Sequence, residues 1–190
     1  MPASKLDEAL LLVPGLVAIL RGESDRGCVI LAASLLEDEL ESHLLRRLVP
    51  KSKATDELFA REARAPISAF SDKINLAFRV GLITKSERTI YHQLRELRNA
   101  CAHNITTQAF SENHFRDRMA NMIDESKELW AALHASIAGK IEPARAPSSV
   151  RDLVNLITWR IAFEFFFALV IAEKRVQLIT VHQLPELGAA

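Results

Sequence analysis

A well-marked helix between Thr84 and His103 constrains this chain more than any other stretch. Thr84 and Glu87 make a T-x-x-E capping box, in which each side chain satisfies a free backbone N–H of the other's residue. Behind it Ile90, Leu94 and Leu97 recur at helical spacing, and Ala100 and Cys101 carry the apolar stripe onward. Asn104 then offers a residue able to take the left-handed conformation that ends helices. Glycines number six and prolines seven in 190 residues, and β-branched runs are scarce. The expectation is an all-α fold, a compact multi-helix bundle of about six or seven helices.

The end of that helix collects polar groups. Arg98, Asn99 and His103 form an R-N-x-x-x-H pattern, with Asn99 and His103 at i and i+4 on one face of the last turn. Arg98 is one residue round and can swing to the same end. Such a trio suits RNA cleavage through the 2′-hydroxyl, which needs proton transfer and charge stabilisation. Histidine exchanges protons near neutral pH, and an arginine fork grips phosphate. The plainer reading has Arg98 and His103 answering the negative helix end and its free carbonyls, with Asn99 hydrogen-bonded in the core.

Charge argues against one function class. Lys plus Arg and Asp plus Glu both total 24, so the formal charge is zero, whereas duplex DNA binders usually carry a basic surplus. Cys28 and Cys101 lie in apolar helical patterns and read as buried thiols in a reducing compartment. No C-x-x-C or H-x-x-x-H spacing offers a metal site, and nothing calls for a cofactor. Met1 to Glu8 is polar with two acids, unlike a secretory signal, so a cytoplasmic protein is expected.

Along the chain, Leu6, Leu10, Val13, Val17 and Leu20 predict a first helix, kinked or restarted at Pro14-Gly15. Ser24 caps a second helix from about Asp25 to Leu48. Its acids Glu37, Asp38, Glu39 and Glu41 read as a solvated face, although a second arrangement puts Asp38 beside Arg98 to orient it. Arg46, Arg47, Lys51 and Lys53 form a basic cluster, the best candidate for touching an acidic partner if it is more than a solvated loop. Asp56 to Arg64 suggests a short helix, and Pro66 opens an amphipathic one that ends before Gly81. A further helix, capped by Ser111, carries Phe115, Met119, Met122, Ile123, Leu129, Trp130 and Leu133. Residues 140–149 form a proline-containing linker between a helical domain over 1–139 and residues 150–190. That last part holds an apolar helix capped by Ser148 or Ser149, then a short tail over Val176 to Val181. The Ile161-to-Ala172 run is too short to span a bilayer and must pack on the bundle or a second copy.

Several of these pieces follow one another in a distinctive order: Ser24 to Cys28, Leu35 to Leu40, Ala65 to Ile74, Gly81 to Ile83, and Leu97 to His103. Together they resemble the mannitol operon repressor family, compact bacterial helical proteins, over residues 5 to 137. The R-N-x-x-x-H element is also similar to that of HEPN ribonucleases, helical proteins that usually complete their site at a dimer interface. The resemblance implies a HEPN-like bundle and a homodimeric regulator of sugar-alcohol uptake genes. It supplies no mechanism. The turn at Val80-Gly81 leads into Thr84-Lys85-Ser86-Glu87-Arg88, a cap and not a groove-reading helix.

Two functions therefore stand. One is a repressor-like regulator working through protein partners and binding DNA weakly by itself. The alternative is a metal-independent HEPN-type ribonuclease acting on RNA through Arg98, Asn99 and His103, with Asp38 as orienting acid.

Overall fold

Local signals set the helix starts. Ser24 Oγ accepts the Gly27 N–H at 3.1 Å, and Thr84 and Glu87 exchange backbone bonds at 2.7 and 3.2 Å. The computed structural model describes residues 5–51, 56–60, 65–103, 109–126, 131 and 150–186. Its helices are α1 (Lys5–Arg21), α2 (Asp25–Arg47), α3 (Phe70–Arg79), α4 (Lys85–His103), α5 (Asn113–Glu125) and α6 (Val150–Leu178). A 3₁₀ turn, Ala109–Ser111, precedes α5. The described residues contain no strand, so the fold is an all-α bundle.

The last helix is the centre of the core. Ala162, Phe163, Phe166, Phe167, Ile171 and Ala172 of α6 are buried, and Phe163 meets Phe110, Phe115 and Phe167 at centroid distances of 5.3, 6.0 and 4.6 Å. On one side α1 lays Ala9, Val13, Leu16, Val17 and Leu20 against it. α2 packs on α6 as well as on α3 and α4, and α5 bridges α4 and α6. Fully burying side chains of this size is worth about 1.5–3 kcal/mol each. The six described helices thus share one apolar cluster.

Several expectations give way. α1 is not restarted at Pro14-Gly15 but continues through both, which lie on its exposed face, where water can serve the carbonyl that proline leaves unpaired. Asp56 to Ala60 is a turn and not a helix. The Asp56 Oδ1 accepts the N–H groups of Leu58 and Phe59, and a side chain that bonds its own backbone competes with helix formation. Pro66 and Ile67 also sit in a turn, held where Ile67 N–H donates to Leu58 O at 2.9 Å, and α3 begins at Phe70. Beyond α3, Gly81 takes φ +74°, as an end-of-helix glycine should. Glu112, and not Ser111, stands at the N-cap of α5, since Ser111 belongs to the 3₁₀ turn.

α6 extends to Leu178, farther than its apolar run suggested, and is broken once. Thr158 has φ 68° and ψ 155°, a conformation that strains a β-branched residue. Its Oγ1 accepts the Ile161 N–H at 3.5 Å, so it restarts the helix as a cap would. Asn104, Leu129, Trp130, Leu133, the linker with Ser148 and Ser149, and Lys53 lie outside the described residues. Among the described residues, no helix is long and apolar enough to cross a membrane.

Candidate functional site

Arg98 reaches the site from the last turns of α4, and the acid that receives it comes from α2. Glu37 and Glu41, one turn apart, both point at Lys73 of α3. Lys73 Nζ lies 2.8 Å from Glu37 Oε1 and 2.7 Å from Glu41 Oε2. The other oxygen of Glu37 takes Arg98 Nη2 at 3.3 Å, while Arg98 Nη1 donates to Asn99 Oδ1, also at 3.3 Å. Lys73 is wholly buried and Glu37 is 8% exposed, so the chain of charges pins three helices together beneath the surface. Each buried member has two partners, so the loss of Arg98 leaves Glu37 with Lys73, and Lys73 also keeps Glu41.

The acids of α2 are therefore not a solvated face. Glu37 is buried, Glu41 meets Lys73, and Glu39 meets Arg175 of α6; only Asp38 is exposed. The reason is a cation on the apolar stripe of a neighbour. Lys73 falls three residues after Phe70 and four before Ala77, on the inward face of α3. That placement was the available signal for a buried carboxylate partner.

Beside Arg98 the surface is concave. A cavity of about 340 Å³ is lined by Ser34, Glu37, Asp38, Ser68 and Arg98. A smaller one of about 180 Å³ adds Arg95 and Asn99. Asp38 thus comes to the Arg98 end, but the carboxylate bonded to Arg98 is that of Glu37. His103 ends α4, exposed, and lines neither cavity. Arg98 and Asn99 are bonded to each other, and His103 follows Asn99 by one helical turn. The carbonyl of Ala102 at this helix end is served by Arg26 of α2, whose Nη2 donates to it at 3.0 Å. Nothing in the local spacing pointed to Arg26, 76 residues away.

The other end of α4 carries a second polar focus. Glu87 Oε1 pairs with the ammonium of Lys174 from α6 and accepts the Tyr91 hydroxyl at 3.4 Å. Burial works to raise the Glu87 carboxyl, but Lys174 and the Thr84 donors outweigh it and hold it below its usual range. Nearby, His43 Nδ1 donates to Glu39 O at 2.7 Å, while its buried Nε2 has no hydrogen-bond partner among the described residues. Burial, aided by the Lys174 charge, lowers its pKa from 6.5 and keeps the ring neutral.

A third focus sits between α1, α2 and α6. Arg160 Nε donates to buried Glu164 at 2.7 Å, Nη1 to Asp25 at 2.9 Å, and Nη2 to the carbonyls of Leu20 and Glu23, each at 2.9 Å. Its guanidinium also stands 5.4 Å over the Phe110 ring. Arg21 adds a second contact to Glu164 at 3.2 Å. Close by, burial pushes the Cys28 thiol up to about 12, so it is inert at neutral pH.

The two arginines of the basic cluster at the end of α2 bond the chain itself. Arg46 donates to the carbonyls of Val181 and Ile179, and Arg47 to that of His182, while Leu184 N–H returns to Arg47 O at 2.7 Å. The tail over residues 179–186 is thereby clasped to α2. Among the described residues no group of three His, Cys, Asp or Glu could hold a metal ion. Chemically, Arg98 and Asn99 could receive an oxyanion, with His103 one turn on and outside the lining of the two cavities. No family model, curated protein or solved structure matches this chain.

Proposed function

We propose that this chain is a repressor-like regulator that works through protein contacts as a homodimer, and that Arg98, Asn99 and His103 hold the fold. The observation that carries the reading is the Arg98–Glu37–Lys73 chain, which engages the arginine with a buried carboxylate while His103 stands outside the cavities beside it. Metal-free RNA cleavage needs acid–base and phosphate-binding groups converging on one phosphodiester. The α3–α4 turn also lacks what a DNA reader presents. Arg88 donates to Asn75 Oδ1 at 3.2 and 2.9 Å and stacks 5.0 Å over Phe78, so this cation is engaged within its own hairpin. The resemblance to the mannitol operon repressor family points the same way, toward control of sugar-alcohol genes.

The nuclease alternative draws support from one feature, the two polar cavities that share Arg98, Glu37 and Ser68, one bordered also by Asp38 and the other by Asn99. In that version Glu37 takes the orienting part assigned to Asp38. The test incubates wild type and His103→Ala with labelled cellular RNA without added metal, alongside melting curves. No cleavage by either protein is expected. Cutting by wild type alone, at equal stability, replaces the regulator with a ribonuclease.

A further inference from the structure

One face of α4 gathers positive charge that the fold does not neutralise. Arg88, His92, Arg95, Asn99 and His103 follow one another at steps of three or four residues, so they share one side of the helix. Lys85 stands on the same side at its start. Among the described residues Lys85, Arg88 and Arg95 form no ion pair. Arg88 is bonded to neutral Asn75 and stacked on Phe78, which fixes its position and leaves its charge in place. The crowding registers on His92, whose pKa is lowered from 6.5 by burial and then by the Arg95 and Arg88 charges. The one acid of α4 on this side, Glu96, is exposed and occupied by Arg118 of α5.

Arg95 carries the second observation. Its Nε is buried and has no hydrogen-bond partner among the described residues. A buried donor without an acceptor is unfavourable. Arg95 lines the cavity of about 180 Å³, and Ser68, Ser71, Arg98 and Asn99 bring further donors to the same wall. The carboxylate of that wall, Glu37, is already shared by Lys73 and Arg98. The cavity is thus built of donors whose natural complement is a second carboxylate.

We infer that this face of α4 docks an acidic segment of a partner protein, with one carboxylate entering the cavity beside Arg95 and the next lying over His92 and Arg88. From Arg88 to Asn99 the face is about 16 Å long, so acids one turn apart on a partner helix match cations one turn apart here. Charge complementarity therefore selects the occupant. Single-stranded nucleic acid fits less well, because it is held by bases stacked on aromatic rings. Here Phe78 lies under Arg88, and Tyr91 is buried. The surface rests on the protein-contact part of the proposed function and gives those contacts a place; it rests on neither the homodimer nor the genes controlled.

The test follows the fluorescence anisotropy of labelled oligoglutamate titrated with the full chain. Binding should saturate at low salt and weaken as salt rises. Arg95→Glu should weaken it about tenfold or more, as the loss of a charge-assisted hydrogen bond does, with an unchanged helical circular dichroism spectrum. Lys5→Glu makes the same charge change at the start of α1 and should bind as wild type does. Glu96→Gln removes the one acid from the face and should tighten binding, a gain that needs no comparison with Arg95→Glu should that variant lose structure. Oligoglutamate that fails to bind, or whose binding neither a folded Arg95→Glu nor Glu96→Gln changes, overturns this surface. The regulator reading then still stands, because RNA cleavage is what judges it. Tighter binding of labelled oligouridylate than of oligoglutamate, abolished in Arg95→Glu, assigns the face to RNA and also overturns the proposal.

Discussion

Two arginines of this molecule each meet a buried carboxylate, and they do so differently. Arg160 spends four donor contacts at 2.7–2.9 Å on Glu164, Asp25 and two carbonyls, and covers an aromatic ring with what remains. Arg98 makes its bonds to Glu37 and Asn99 at 3.3 Å and borders a polar cavity. A guanidinium has five N–H donors in a fixed fork. One is consumed in joining three helix ends; the other makes two longer bonds, one from each terminal nitrogen, and also lines a cavity. The difference teaches that a paired arginine at a helix junction and an arginine beside a cavity are separated by the number and length of their bonds.

The sharpest way to break this comparison is to remove the cations in turn. Arg160→Met should leave Glu164 in the core with only the half-exposed Arg21, and cost about 3–5 kcal/mol in urea unfolding. Arg98→Ala leaves Glu37 with Lys73, so the loss should be smaller, about 1–3 kcal/mol. Equal losses in the two variants would mean that Arg98 is as fully committed as Arg160.

His43 sharpens the contrast along α2, which sends a paired carboxylate into the core at Glu37 and a half-satisfied ring one and a half turns later. Its folded pKa is depressed, so the unfolded chain binds the proton more readily. The associated stability is present above the unfolded value of about 6.5 and is lost as pH falls through and below it, at no more than about 1.4 kcal/mol per pH unit. Unfolding of wild type and His43→Leu at pH 7, 6 and 5 should show the wild type weakening faster. Parallel curves contradict a neutral buried ring. The smallest effect belongs to His103→Ala, near the low end of the 0.3–1 kcal/mol range for a helix-end cation because the residue is exposed. A loss above about 1.5 kcal/mol would give His103 a partner that the exposed helix end does not suggest.

What the sequence disclosed was local. The Thr84–Glu87 box, the Ser24 cap and the Gly81 stop lie within a few residues, where helix geometry alone decides who meets whom. Arg98 and Asn99 were legible as neighbours for the same reason. Glu37 as the acid on Arg98 was not, since that pairing spans 61 residues and four adjacent candidate acids differ only by helix rotation. The commitment of Arg46 and Arg47 to the tail, across more than 130 residues, had no local trace. Lys73 did leave one, by standing on an apolar stripe where a lone cation needs an explanation.

The packing of α1 on α6 has a consequence for the order in which this chain can be made. Among the described helices, α1 leaves the ribosome well before α6, its main companion. Between Leu20 and Val176, synthesis at about 5–20 residues per second takes on the order of ten seconds. A 17-residue helix is marginal by itself in water, so for that interval α1 has no settled place and its leucines are open to any apolar surface nearby. The intermediate helices can condense through their short-range contacts while α1 waits. Closure of the bundle is then one late event, and a nascent chain halted before Trp159 would present both the inner and outer faces of α1 to a chaperone.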